Sequence, residues 1–90
     1  MQTDDELVLR ALKGDDEALR LLVERYLKQV YRFVFHYLPS SEDAEDVTQE
    51  VFVKVWKHLR KFHRDQNFKT WVFTIAKNTA LDFLKQTIAR

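Results

Sequence analysis

Apolar residues recur every three or four positions along three long stretches of the chain, which is the spacing of an amphipathic helix. The core-facing positions of the first stretch are Ala18, Leu21, Leu22, Tyr26, Val30, Phe33, Val34 and Tyr37. Those of the second are Ala44, Val47, Val51, Val55, Leu59 and Phe62, and those of the third are Val72, Ile75, Ala76, Thr79 and Phe83. This spacing favours a helix even across the run VFVKVW, whose valines have a high β propensity. The pattern therefore predicts three long helices that share a core.

Residues that favour helix ends add a short helix before these three. We expect this first helix to begin near Asp4 or Asp5, because acidic residues stabilise a helix N-terminus. It should end at Gly14, the one glycine in the chain and the residue best suited to a left-handed C-cap. The second helix should then open at residues 15–16 and close at Pro39, which cannot continue a helix.

The third helix is expected to begin at Ser40 or Ser41 and to run to about Phe62. Asp43 follows Ser40 by three residues, the spacing of a capping-box partner. Five consecutive polar residues, HRDQN at 63–67, then interrupt the apolar period. We interpret them as a loop that leads into the fourth helix.

The fourth helix should extend from Phe68 to about Ile88, with Asn67 or Thr70 as its cap. One glycine and one proline in 90 residues provide too little turn chemistry for a sheet of several strands. A chain of this length can bury one core but not two. The sequence thus predicts an all-α fold, a compact bundle of about four helices forming a single domain over residues 1–90.

The chain offers little chemistry for catalysis or metal binding. It has no cysteine, which excludes disulfides and thiolate metal sites. His58 and His63 lie five residues apart, a spacing that does not place two imidazoles on one helical face as a zinc pair requires. No carboxylate lies at a catalytic spacing from a histidine or serine, and a glycine-rich phosphate loop is absent from the sequence. We expect a protein that is not an enzyme and needs no metal or cofactor.

Charge is distributed unequally between the two parts of the chain. Residues 1–50 contain 6 lysines and arginines and 12 acidic residues, whereas residues 51–90 contain 9 and 2. This division predicts two surfaces with different partners, one of which is a polyanion such as nucleic acid. No apolar run approaches the roughly 20 residues that cross a bilayer, and the start of the chain is acidic rather than basic. We expect a cytoplasmic protein without a membrane partner.

An acidic cluster lies in the first half of the third helix. Glu42, Asp46 and Glu50 follow one another at intervals of four, with Gln49 beside them, so they share one helical face. The favourable interaction of carboxylates with the helix dipole explains acidic residues in the first turn. It does not explain Gln49 and Glu50, which lie beyond that turn, and we therefore interpret this face as a docking surface.

The segment FKTWVFTIAKN combines aromatic and basic residues, the mixture that stacks on unpaired bases and neutralises phosphates. An aromatic stripe at helical spacing more often belongs to a core, so spacing alone favours packing over binding. Phe73 argues against that explanation, because it lies roughly 100° or more around the helix from the stripe that contains Val72 and Ile75. Both explanations remain open from the residues alone.

Two motifs resemble conserved region 2 of the extracytoplasmic-function (ECF) sigma factors of bacterial RNA polymerase: DAEDVTQEVF at 43–52 and FKTWVFTIAKNTALD at 68–82. The opening DDELVLRALKGDDEALRLLVERY is similar to the start of the same family, so the resemblance covers essentially the whole chain. Two long motifs in the right order and at the right separation are a specific signal. The resemblance implies a transcription initiation module that works with core RNA polymerase.

In this family the third-helix motif binds the coiled-coil clamp helices of the polymerase β′ subunit. The resemblance assigns that role here to Asp46, Gln49, Glu50, Phe52 and Trp56. The carboxylates and the amide would supply ion pairs and hydrogen bonds, and the aromatic rings would supply contact area from which water is excluded.

The fourth helix of the family, with its preceding loop, captures flipped bases of the minus-ten promoter element and holds the melted non-template strand. The resemblance assigns this role to Phe68, Lys69, Trp71, Phe73, Thr74, Lys77 and Asn78. For Trp71 we favour a structural role. Asn78 is the best candidate for base reading, because an amide both donates and accepts hydrogen bonds.

A pure protein-interaction domain is the alternative function. Such a domain would bind polymerase or an anti-sigma factor without engaging promoter DNA. Exposure of Phe73, Thr74, Lys77 and Asn78 would favour DNA binding, and burial of all the aromatic rings would favour the alternative. The helix-turn-helix domain with which the family reads the minus-thirty-five element has no counterpart in the sequence, and we expect the chain to be one domain excised from a longer factor.

Overall fold

The computed structural model describes residues 2–63 and 65–88, and within these ranges the chain is helical and contains no strand. Four α-helices follow one another: α1 is Asp4–Leu12, α2 is Asp16–Phe35, α3 is Ser41–His58 and α4 is Phe68–Ile88. A short 3-10 helix, Leu59–Lys61, extends α3. The predicted all-α fold with four helices is confirmed. Position 64 of the predicted loop lies outside the described residues.

Side chains cap the N-terminus of each helix. The Thr3 hydroxyl accepts from the backbone of Glu6 at 3.2 Å, and the Asp15 carboxylate accepts from Ala18 at 3.3 Å. In the same way Ser40 accepts from Asp43 at 3.1 Å, and Asn67 accepts from Thr70 at 3.0 Å. Each bond satisfies one of the backbone N–H groups that a helix start leaves unpaired. The cap of α1 is therefore Thr3, one residue before the predicted start, and Gly14 follows the helix with a φ of +99°.

Two helices end earlier than the apolar pattern predicts. The helix α2 stops at Phe35, and the backbone N–H groups of the next three residues bond to the carbonyl three residues earlier. This tighter turn brings the chain to Pro39, whose ring disfavours a helical conformation in the residue before it. The helix α3 stops at His58, and Phe62 is already extended. Leu59 and Phe62 nevertheless reach the core, each 5% exposed.

The core is built around α2, which contacts the other three helices, while α3 also contacts α4. Small and β-branched side chains meet where the helices cross, and Val30, Val34, Val51 and Val72 are fully buried. Several residues that the pattern assigns to the core lie only half-buried at its edge: Leu21, Phe33, Tyr37, Ile75 and Phe83. Within the described residues, no helix has both the length and the apolar character that spanning a membrane requires.

Two leucines on α2 provide a matched test of this packing. Leu22 is 2% exposed, so Leu22→Ala should lower the free energy of unfolding by about 2–5 kcal/mol. Leu27 is 44% exposed, and Leu27→Ala should change it by less than about 0.5 kcal/mol. Urea unfolding followed by circular dichroism measures both. Equal losses in the two variants would contradict this description of the core.

Candidate nucleic-acid and protein-binding surfaces

A shallow groove between α2 and α4 brings together four of the residues predicted to bind DNA. Its lining consists of Phe33, Lys69, Thr70, Phe73, Thr74 and Lys77. Phe73 meets Phe33 edge to face, with the ring centroids 5.2 Å apart and the planes at 82°. The Lys69 ammonium lies 5.9 Å from the Phe73 ring centroid, close enough for a cation–π contact. The groove is thus lined by two half-buried aromatic rings that contact each other and by two cationic side chains.

Phe68 and Trp71 belong to a different environment at the start of α4. Their ring centroids are 5.8 Å apart, and both rings contact Phe62, at 5.5 Å and 5.1 Å. Phe68, which the sequence predicts to bind DNA, is 4% exposed, so its ring packs in the core beneath the surface of α4. The apolar spacing also indicates a core position for Phe68, because Phe68 precedes the buried Val72 by four residues and the two lie on the same face of the helix. Trp71 is half-buried, in keeping with a role in packing.

Asn78 does not line the groove. It is exposed, and it follows Phe73 by five residues, which turns it roughly 140° around the helix axis. Thr74 lies between them and is exposed, with its hydroxyl donating to the Thr70 carbonyl at 2.9 Å. The predicted DNA-binding residues that reach the surface therefore spread across the outward side of α4. A strand that contacted all of them would have to follow this side of the helix.

The residues predicted to bind polymerase lie along the outward face of α3. Asp46, Gln49, Glu50 and Trp56 are exposed, and Phe52 is half-buried. Trp56 is 62% exposed, an unusual position for so large an apolar side chain. It lines an apolar groove together with Val23, Leu27, Gln49, Phe52 and Val53. The face thus combines polar groups with an apolar surface that is open to a partner.

Lys54 joins the acidic face of α3 to α4. Its ammonium donates to the Thr79 hydroxyl at 3.1 Å and lies 3.7 Å from the Glu50 carboxylate. Thr79 is 2% exposed, so this hydrogen bond is anchored in the core. The Glu50 side chain remains 55% exposed, and its pairing with Lys54 leaves it accessible to a partner.

Sequence reasoning missed three residues at these surfaces. Phe33 was assigned to the core stripe of α2, and only the packing of α2 against α4 places it beside Phe73. Leu27 and Val53 extend the apolar surface around Trp56 and are 44% and 47% exposed. Leu27 follows Val23 by four residues, so helical spacing could have grouped these two, but spacing does not reveal which apolar side chains remain exposed.

The described part of the chain contains no cluster of three or more histidine, cysteine, aspartate or glutamate side chains that could hold a metal ion. Buried side-chain nitrogen and oxygen atoms all have hydrogen-bond partners across the same residues.

Residues 22–88 match the family model described as Sigma-70 region 2. The chain belongs to the sigma-70 region 2 family. This sigma region 2 domain is 46% identical over 82 residues to the ECF RNA polymerase sigma-E factor of Escherichia coli (strain K12), covering 91% of this chain and 42% of the relative. It is 36% identical over 83 residues to the RNA polymerase sigma-H factor of Pseudomonas aeruginosa, covering 92% and 43%. The predicted relationship to ECF sigma factors is confirmed, and the chain spans less than half the length of these relatives.

Two solved structures share the fold of the domain. An NMR structure of an engineered region 2 of sigmaE in complex with GTAAAA has a TM-score of 0.88 and 44% identity, and the match covers 94% of this chain and 88% of that one. The structure of CnrH in complex with the cytosolic domain of CnrY has a TM-score of 0.81 and 30% identity, and the match covers 88% and 51%.

Proposed function

We propose that this domain binds core RNA polymerase through α3 and holds the unpaired non-template strand of the minus-ten promoter element along α4. One observation carries the proposal: the groove between α2 and α4 brings the Phe33 and Phe73 rings together with Lys69 and Lys77. Support comes from the related region 2 whose structure contains GTAAAA and which matches 94% of this chain. Alternation of aromatic and cationic side chains is the chemistry by which proteins bind single strands.

Strand capture would promote promoter melting without any covalent step. Stacking on an aromatic ring contributes about 1–3 kcal/mol per base, and the ammonium groups of Lys69 and Lys77 would neutralise phosphates. A protein that binds only the unpaired strand shifts the equilibrium between duplex and open DNA toward the open form. We infer a binding function and no enzymatic one.

Base preference would come from the exposed polar groups of α4 rather than from its rings. Asn78 offers both a donor and an acceptor to a base edge, and the Thr74 hydroxyl lies one turn before it. Trp71 would act mainly through packing with Phe62, since these two rings are 5.1 Å apart. Phe68, which is buried, would support this surface from beneath rather than contact a base.

The outward face of α3 would dock on the clamp helices of the polymerase β′ subunit. Asp46, Gln49 and Glu50 would provide hydrogen bonds and ion pairs to the partner. Trp56 and the half-buried Phe52 would provide contact area, because large aromatic residues contribute most of the binding energy in many interfaces. Since polymerase acts in the cytoplasm, we infer that the domain does so too.

A protein-interaction domain without promoter binding is the second candidate. The related CnrH structure contains the cytosolic domain of CnrY, and the exposed apolar groove beside Trp56 suits a protein partner such as an anti-sigma factor. The exposure of Thr74, Lys77 and Asn78 favours DNA binding over this alternative, although Phe73 is only half-exposed. The two functions are compatible if an anti-sigma factor occupies the surface that polymerase would otherwise bind.

Removal of the Asn78 amide should reduce sequence preference on DNA. The ratio of the dissociation constants for a scrambled and a minus-ten single-stranded oligonucleotide should fall by roughly tenfold in Asn78→Ala, because one bidentate base contact discriminates by about 1–3 kcal/mol. Fluorescence anisotropy at two salt concentrations separates this preference from general phosphate binding. The control is Gln86→Ala, which removes another exposed amide from α4. If the wild type had no preference, or if Asn78→Ala retained it, base reading by Asn78 would be excluded.

Charge reversal on α3 should weaken polymerase binding. Glu50→Lys should raise the dissociation constant for a β′ clamp-helix fragment roughly tenfold or more, because hydrogen bonds to charged groups contribute about 1.5–3 kcal/mol. Glu6→Lys makes the same change of charge at an exposed position of α1 and should have little effect. Calorimetric titration measures both, and an unchanged affinity in Glu50→Lys would remove this face from the interface.

A further inference from the structure

The surface of α4 that faces DNA in the proposed function depends on how the start of this helix is held. Asn67 caps α4, and just before it the Gln66 N–H donates to the His63 carbonyl at 2.9 Å. Phe68, the first residue of α4, is also held by side-chain packing. Its ring contacts Phe62, Trp71 and, from α2, Tyr26, at centroid distances between 5.5 and 5.8 Å.

Tyr26 is held from the opposite side by α1. Its hydroxyl donates a hydrogen bond to the carboxylate of Asp4, the first residue of α1. The other oxygen of that carboxylate accepts from Arg25 at 2.8 Å, and Arg25 also donates to the Gln2 carbonyl at 2.8 Å. Burial and the hydrogen bond to Asp4 raise the pKa of Tyr26 to about 12, so the hydroxyl remains a donor at physiological pH. The Tyr26 side chain is therefore hydrogen-bonded to α1 through its hydroxyl and packed against Phe68 through its ring.

The N-terminus of α1 also lies next to the segment that leads into α4. A polar groove is lined by Thr3, Asp4 and Asp5 on one side and by residues 65–68 on the other. The first turn of α1 and the start of α4 are thus neighbours in space, although they lie near opposite ends of the sequence. Tyr26 contacts both Asp4 and Phe68, so it links the first turn of α1 to the start of α4.

We propose that Asp4, acting through Tyr26, is a positioning residue for the DNA-binding surface: it fixes the ring that holds Phe68 and with it the first turn of α4. The inference rests on the proposed function, because that turn contains Lys69 and Trp71. Fixing the turn before DNA arrives lowers the ordering cost of binding. The hydrogen bonds and ring contacts from Asp4 to Phe68 include none of the α3 residues predicted to bind polymerase.

Tyr26→Phe is the sharpest test, because it removes only the hydroxyl and preserves the ring volume. Affinity for the minus-ten oligonucleotide should fall roughly threefold to tenfold, the equivalent of one hydrogen bond. Amide hydrogen exchange at residues 65–70 should become faster, since the segment opens locally more often. Affinity for the β′ clamp-helix fragment should not change. Tyr31→Phe is the control for oligonucleotide affinity, because Tyr31 is a half-buried tyrosine of α2 whose ring contacts Phe35 and which lines a groove with residues of α3.

Asp4→Ala should have at least the effect of Tyr26→Phe, because it also removes the partner of Arg25. The double variant should be no worse than Asp4→Ala, because the bond between Tyr26 and Asp4 is already lost there. Two results would overturn the proposal. One is unchanged exchange at residues 65–70 in Tyr26→Phe. The other is an equal loss of oligonucleotide and clamp-helix binding, which would mean general destabilisation. A failure of the proposed function can be told apart from a failure of this inference. In that case the wild type would show no oligonucleotide preference, while amide exchange at residues 65–70 would still be faster in Tyr26→Phe.

Discussion

Burial of the apolar face of α2 is the constraint on which the rest of the structure depends. Val30 and Val34 are fully buried, and α2 contacts each of the other three helices. Small and β-branched side chains at the crossings let the helices approach closely and leave little freedom in their relative positions. Once α3 and α4 are fixed against α2 and against each other, the faces that they turn outward are also fixed, and both candidate surfaces are built on these faces.

The two surfaces differ in chemistry because the residues left over from core packing differ. On α3 the outward positions are carboxylates, an amide and the 62% exposed Trp56, a set that suits a protein partner. On α4 they are lysines, a hydroxyl and an amide beside the Phe73 ring, a set that suits a nucleic-acid strand. The unequal distribution of charge along the sequence thus corresponds to two different surfaces, one on α3 and one on α4. Lys54, bonded to Thr79 and close to Glu50, is a direct contact between the two sides.

Local features made much of the fold predictable. The caps at Ser40 and Asn67 are bonds within three residues, so the sequence alone locates the starts of α3 and α4. The end of α2 was placed too late, because apolar spacing continues through a turn whose hydrogen bonds are already tighter than those of an α-helix. The pairing of Tyr26 with Asp4 and the contact of Phe33 with Phe73 involve different helices. Such contacts follow from packing angles that the spacing within one helix does not contain.

In the proposed function, α3 and α4 present separate surfaces that engage two partners at the same time. This can be tested by measuring the affinity of the domain for a fluorescent minus-ten oligonucleotide, first alone and then with a saturating β′ clamp-helix fragment. We expect a ternary complex in which the oligonucleotide is bound at least as tightly as without the fragment. Competition between the fragment and the oligonucleotide would contradict it, because the two partners would then share one surface.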